Sequence, residues 1–193
     1  MNPEDPGSSA RFNRQPLVNA GDDEAAAREF APVRSRTMLL VARFEDPCAA
    51  QTWRVAQSLI TLRDQINALA PRRRKDSDGT IGDAAHCGRE SDHNPHVRNG
   101  AMGIVTALDI THDIAGGCNC AELAERLQHS HDVRIKYVIW NRRMYSSYAH
   151  ANDGPWVWRP YAGENPHDKH MHVSVVEDER LYDDTTPWII SST

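Results

Sequence analysis

His86, His93 and His96 fall in one short polar segment and His170 and His172 in another, so half of the ten histidines of this 193-residue chain are gathered in two places. Imidazoles grouped in this way bind metals or move protons near neutral pH. As a strand, His170-Met171-His172-Val173-Ser174-Val175 would put His170, His172 and Ser174 on one face and its apolar residues on the other. Two imidazoles at i and i+2 then lie close enough for one to bind a metal while the other reaches the metal's open position. Ala107-Leu108-Asp109-Ile110 repeats the pattern, with Leu108 and Ile110 turned to core and Asp109 to the opposite side. A half-buried carboxylate there needs a cation, because an unpaired buried charge is costly. His93, in the turn Ser91-Asp92-His93-Asn94-Pro95, is the third candidate donor.

Two histidines and one aspartate make the three-ligand set of a catalytic zinc site, which keeps its fourth position for water, whereas structural sites are closed and rich in thiolates. One Zn2+ is therefore the expected cofactor at His93, Asp109 and His172. Such an ion lowers the pKa of its water to about 7 and polarises carbonyls, so hydrolysis is the expected reaction. His170 would serve as general base or as a stabiliser of the transition state. His86 lines the site, replaces His93 as a ligand, or hydrogen-bonds a loop. His96, His112, His129, His131 and His150 read as surface or loop residues. Arg89, Arg142, Arg143 and Arg159 could grip the carboxylate of a peptide end in a bidentate fork, with ordinary surface pairing as the alternative. Trp156, Trp158 and Tyr161 either wall a cleft near the metal or simply pack.

These groups need a scaffold, and its elements can be read coarsely. Residues 1–37 are rich in Pro, Gly, Ser, Asn and charge, which predicts a disordered leader ahead of a domain over 38–193. Met38 to Ala42 is a short strand or the start of that domain. Apolar residues from Trp53 to Leu69 recur at steps of three and four, predicting an amphipathic helix over Cys48–Ala70 that Pro71 ends. Arg72 to Lys75, followed by Asp76 and Asp78, reads as a solvated loop. A strand is expected over Val105–Ile110 and a helix from Cys120 to about His129, capped by Asn119. Tyr137–Trp140 and Met144–Ser147 form a hairpin around Asn141–Arg143, and His170–Val176 is the last strand. The fold class is α+β, a small, largely antiparallel sheet with flanking helices.

Ser91-x-His93, Gly103-x-Val105-x-Ala107-x-Asp109 and His170-x-His172 together resemble the signature of the LAS-type zinc peptidases. That group joins D-alanyl-D-alanine carboxypeptidases, lysostaphin-like endopeptidases and the zinc domain of hedgehog proteins. The flanking runs Asp78 to His86 and Tyr137 to Arg143 look like a subgroup among phage-type lysins and actinobacterial proteins, and the resemblance spans about residues 50–190. It implies the LAS/hedgehog-type fold, a peptidoglycan stem or cross-link peptide as substrate, cell-wall lysis or remodelling, and substrate contact by Ser91, which otherwise caps its turn. Two departures stand out. His93 and Asp109 are sixteen positions apart instead of six, an insertion over Pro95–Met102, and Lys169 stands where the group has a glutamate. The His-x-His form puts His170 in the base position and leaves Asp168 as an alternative acid/base or supporting group. A second reading is a non-catalytic zinc module that binds a partner through the same cleft.

A net charge of −5 gives no general attraction to nucleic acid or anionic lipid, and no apolar run is long enough to span a membrane. Four cysteines (Cys48, Cys87, Cys118, Cys120) lack zinc-site spacing and read as mostly free thiols, with a bridge from Cys48 or Cys87 to the Cys118/Cys120 pair left open. Met1–Ala10 carries no secretory h-region. The expectation is a monomer made in the cytoplasm that reaches the wall by another route, with a different native start within residues 1–37 as the alternative.

Overall fold

A computed structural model describes residues 52–81 and 89–191. The expected leader, the run Met38–Ala42, Cys48, His86 and Cys87 lie outside these described residues. The architecture is mixed α+β, with two mostly antiparallel sheets and few helices. One sheet has three strands, β1 (Trp53–Val55), β2 (Val97–Asn99) and β3 (Met102–Val105), in the order β1-β3-β2 with β1 and β3 parallel. The other has five, β4 (Ala107–Thr111), β5 (Ile135–Trp140), β6 (Arg143–Ser146), β7 (Arg159–Pro160) and β8 (His170–Val175), in the antiparallel order β4-β8-β5-β6-β7. Among the described residues the helices are α1 (Gln57–Leu69), α2 (Cys120–Ser130) and the short α3 (Glu179–Tyr182). Among the described residues no helix is long and apolar enough to cross a membrane.

Strand alternation divides the larger sheet into two unlike faces. Leu108 and Ile110 of β4, Val138 and Trp140 of β5, Tyr145 of β6 and Met171, Val173 and Val175 of β8 point one way. They form the main core with Leu59, Leu62 and Ile66 of α1 and Leu123, Ala124 and Leu127 of α2. Each large apolar side chain removed from water there contributes roughly 1.5–3 kcal/mol. The opposite face carries Asp109, His172 and Ser174, flanked by the smaller cluster of Tyr137, Ile139 and Met144 with Tyr161 packed against it.

Several expectations need correction in detail. The helix expected over Cys48–Ala70 starts only at Gln57, because Trp53–Val55 is taken as a strand by β3: Gly103 N–H donates to Thr52 O at 2.9 Å and Ala56 N–H to Val105 O at 3.0 Å. The single strand expected over Val105–Ile110 is divided at Thr106, with β3 in one sheet and β4 in the other. Arg73 is no solvated loop residue. Its buried guanidinium makes a two-pronged bond to Asp78, at 2.8 and 2.6 Å, and donates to Asn67 Oδ1 at 2.9 Å. Asp78 Oδ1 also accepts from Thr111 N–H and Thr111 Oγ, which ties the loop after α1 to the end of β4. Asn119 caps α2 by accepting from Ala121 N–H, and Asn141 and Arg142 both sit at positive φ, as a two-residue primed turn between β5 and β6 requires.

Candidate metal centre

The centre is built on the register between β4 and β8, where Asp109 lies directly opposite His172 and Thr111 opposite His170. Asp109 thus reaches across one strand spacing to His172 Nδ1, 3.0 Å from its Oδ1. A loop strand covers Asp109 from the other side: Gly79 exchanges two backbone hydrogen bonds with it, and a Cβ on residue 79 would stand 3.2 Å from Asp109 Oδ2. A side chain at residue 79 would thus press on the Asp109 carboxylate.

His93 arrives from the turn 91–94. Asn94 N–H donates to Ser91 O, His93 N–H to Ser91 Oγ, and Thr106 N–H to Asp92 O, so the turn is pinned to the link between β3 and β4. The extra length between His93 and Asp109 is taken up by the β2–β3 hairpin, which folds back so that both ends meet. Pro95 rests on Gly103, where any Cβ would be 2.8 Å from Pro95 O. The outcome is that His93 Nε2 lies 3.1 Å from His172 Nδ1 and 3.4 Å from Asp109 Oδ2.

His93, Asp109 and His172 could therefore hold a metal ion, and a second grouping of Asp109 with His167 and His170 shares the carboxylate. His170 Nε2 is 3.8 Å from Asp109 Oδ2 and 3.5 Å from Asn165 Nδ2. His167 was missed by sequence reasoning. Its loop, Asn165-Pro166-His167-Asp168, has no periodicity to place a side chain, and the only available signal was its three-residue spacing from His170. The residue is buried and left-handed in backbone, at φ 51°. Its Nδ1–H donates to Asn165 O at 2.9 Å and its backbone N–H to Asn165 Oδ1 at 3.1 Å. The Nε2 is left as an acceptor, and the ring stands 5.0 Å from that of His170 and 5.5 Å from that of His172.

Electrostatics follow from burial and from the one carboxylate. Burial works against ionisation of Asp109, but the His172 and His93 rings beside it outweigh it and hold the carboxyl far below the usual range. Burial likewise opposes charge on His93, yet the bond to Asp109 and its charge hold that imidazole above its ordinary value. For His172 burial prevails over Asp109 and the pKa is depressed. At His167, burial and then the neighbouring His172 and His170 push it down to about 3. Tyr137 stacks on His172 with ring centroids 5.5 Å apart.

The remaining expected residues are more scattered. Ser91 caps its turn through Oγ. Arg89 is exposed, 4.0 Å from Glu164. Arg142 is exposed at the hairpin tip, with backbone bonds to Pro166 and Tyr161 that join the tip to the His167 loop. Asp168 is exposed on that loop. Trp158 packs edge-on against Tyr145 at 4.7 Å, on the helix-covered face, whereas Tyr161 stands 5.4 Å from His167 on the metal face. Cys118 and Cys120 are buried free thiols. Comparison with family models, with curated proteins and with solved structures finds no match to this chain.

Proposed function

We propose that this chain is a zinc-dependent peptidase of LAS type, cleaving stem or cross-link peptides of peptidoglycan as a carboxypeptidase or endopeptidase. The observation that carries the reading is the convergence of three donors: His93 Nε2 lies 3.1 Å from His172 Nδ1 and 3.4 Å from Asp109 Oδ2, and His172 Nδ1 lies 3.0 Å from Asp109 Oδ1. Tetrahedral zinc, with bonds of about 2.0–2.2 Å, has donor-to-donor edges of about 3.3–3.6 Å. The three separations lie within roughly half an ångström of such edges. Two imidazoles with one carboxylate suit zinc, whereas calcium and magnesium call for oxygen-rich shells.

A zinc ion at this position supplies a water acidified toward neutrality and a Lewis acid for the scissile carbonyl. His93, Asp109 and His172 would hold it. His170, on the same face of β8 with Nε2 3.8 Å from Asp109, takes the proton of the attacking water and returns it to the leaving amine. His167 contributes a fixed acceptor nitrogen beside it, and Asp168 is the alternative acid/base group. Reaction type rests on the donor set, and substrate class rests on the motif resemblance. On this reading the protein acts at the cell wall as a monomer.

Purified cell walls test both parts. The zinc-loaded protein should release new amino groups, lose that activity with a chelator, and carry about one equivalent of zinc. His170→Ala should retain the metal while slowing release by about 10²–10⁴-fold. A zinc-loaded protein that releases nothing removes the peptidase and leaves a zinc-dependent binding module. Zinc content below about a tenth of an equivalent in parent and His172→Ala alike removes the metal site itself.

A further inference from the structure

Beside the candidate donors, on the same face of the sheet, runs a buried polar chain that the proposed chemistry does not use. His172 Nε2, the nitrogen turned away from Asp109, is 3.0 Å from Ser174 Oγ. Ser174 also hydrogen-bonds Asp92, and Asp92 receives Lys136 Nζ at 2.9 and 3.1 Å on its two oxygens. Ser174 is fully buried, Asp92 nearly so, and Lys136 extends the chain to Glu177 at 3.3 Å. His96 Nε2 stands 3.6 Å from Asp92 Oδ1.

Proton counting fixes the direction of every bond. Asp92, paired with a lysine ammonium, is an ionised carboxylate and can only accept. The single hydroxyl proton of Ser174 therefore goes to Asp92, and the lone pair of Ser174 faces His172. Nε2 of His172 must then carry the ring's hydrogen, which leaves Nδ1 bare on the side of His93 and Asp109.

We infer that Asp92 and Ser174 are positioning residues for the metal centre: the relay Asp92–Ser174–His172 locks His172 into the tautomer whose Nδ1 is free to ligate. This rests on the zinc reading proposed above. Partners of this kind, bonded to the far nitrogen of a ligating histidine, typically change metal affinity 10–100-fold when removed. Asp92 has a second hold on the site, because it precedes His93 in the chain and its carbonyl is fixed by Thr106 N–H. One side chain thus orients one ligand through Ser174 while its backbone anchors the other.

Two readouts test the relay, the zinc dissociation constant from chelator competition and the His172 tautomer from nitrogen-15 NMR of the metal-free chain. Ser174→Ala should weaken zinc binding 10–100-fold and release the tautomer, with Ser174→Thr, which keeps the hydroxyl, restoring both. Asp92→Asn should act in the same direction, since a carboxamide can donate to Ser174 and reverse the chain. If Ser174→Ala fails to fold, Asp92→Asn and Ser174→Thr still decide the matter. Parental affinity and an unchanged Nε2–H tautomer in the folded variants would overturn the relay. If the parent binds no zinc, the metal reading falls, and the relay stands or falls on the tautomer alone.

Discussion

The imidazoles around Asp109 differ in how their protons are held, and His167 is the extreme case. Unfolded, its pKa is near 6.5, and folded it is pushed down to about 3. Between those values the unfolded chain binds a proton that the folded chain refuses, so stability falls as pH falls from about 6.5 toward 3. His172 has the same sign, while His93, held above its ordinary value, contributes stability that is present in acid and lost as pH rises through its folded pKa. His167→Asn, whose side chain tolerates the left-handed backbone, should remove close to one proton from this dependence, on the order of a few kcal/mol across the range. Urea midpoints of the metal-free protein between pH 7 and 4.5 measure it, and a variant with the parental slope would contradict the assignment. Asp109 and His172 could be read from the sequence because alternation in a strand fixes which face a side chain takes. His93 was visible only as a member of a polar turn, and nothing local says that the β2–β3 hairpin returns it to the sheet. His167 sits in an aperiodic loop, where side-chain direction depends on the whole fold.

Elements fixed by local chemistry were the ones most readily recognised. Asn119 begins α2, and the β5–β6 hairpin closes on two residues. Those two residues carry a cost, since Arg142 has φ 61° without being glycine. Arg142→Gly should leave zinc content unchanged and stabilise the protein by up to about 1 kcal/mol in thermal unfolding, whereas a loss of stability would mean that the arginine side chain matters more than its backbone. Pairings between distant segments were not legible. Trp53 and Ala56 continue the helical spacing of α1, yet the backbone of Trp53–Val55 is claimed by β3. Arg73 likewise reads as one cation of a basic run, although it is buried against Asp78. Breaking that pair from the acidic side strands a buried guanidinium, so Asp78→Ala should cost about 3 kcal/mol, seen as a lower denaturant midpoint. A cost below about 1 kcal/mol would mean that the arginine escapes to solvent.

At the scale of the whole molecule the larger sheet does two separate jobs, one on each face. The face turned to α1 and α2 holds the apolar core, and the other holds the donors, with, among the described residues, the smaller cluster of Tyr137, Ile139, Met144 and Tyr161 packed beside them. Backbone pairing of β4 with β8 and of β8 with β5 requires no metal, and the core beneath supplies most of the apolar burial. Folding should therefore precede metal binding, unlike small zinc domains that unfold when stripped. An ion held there would still stabilise the fold: at free zinc a hundred times the dissociation constant, linkage would contribute about 2.7 kcal/mol. For a domain of this size that corresponds to about 5–10 °C in Tm. Chelation should lower the melting temperature by that amount while leaving the far-ultraviolet circular dichroism at 25 °C unchanged. A chelated protein already unfolded at 25 °C would show that the donors hold β4 against β8. A melting curve indifferent to zinc would show that His93, Asp109 and His172 bind no ion, and that their close approach depends on the shared proton that holds His93 to Asp109.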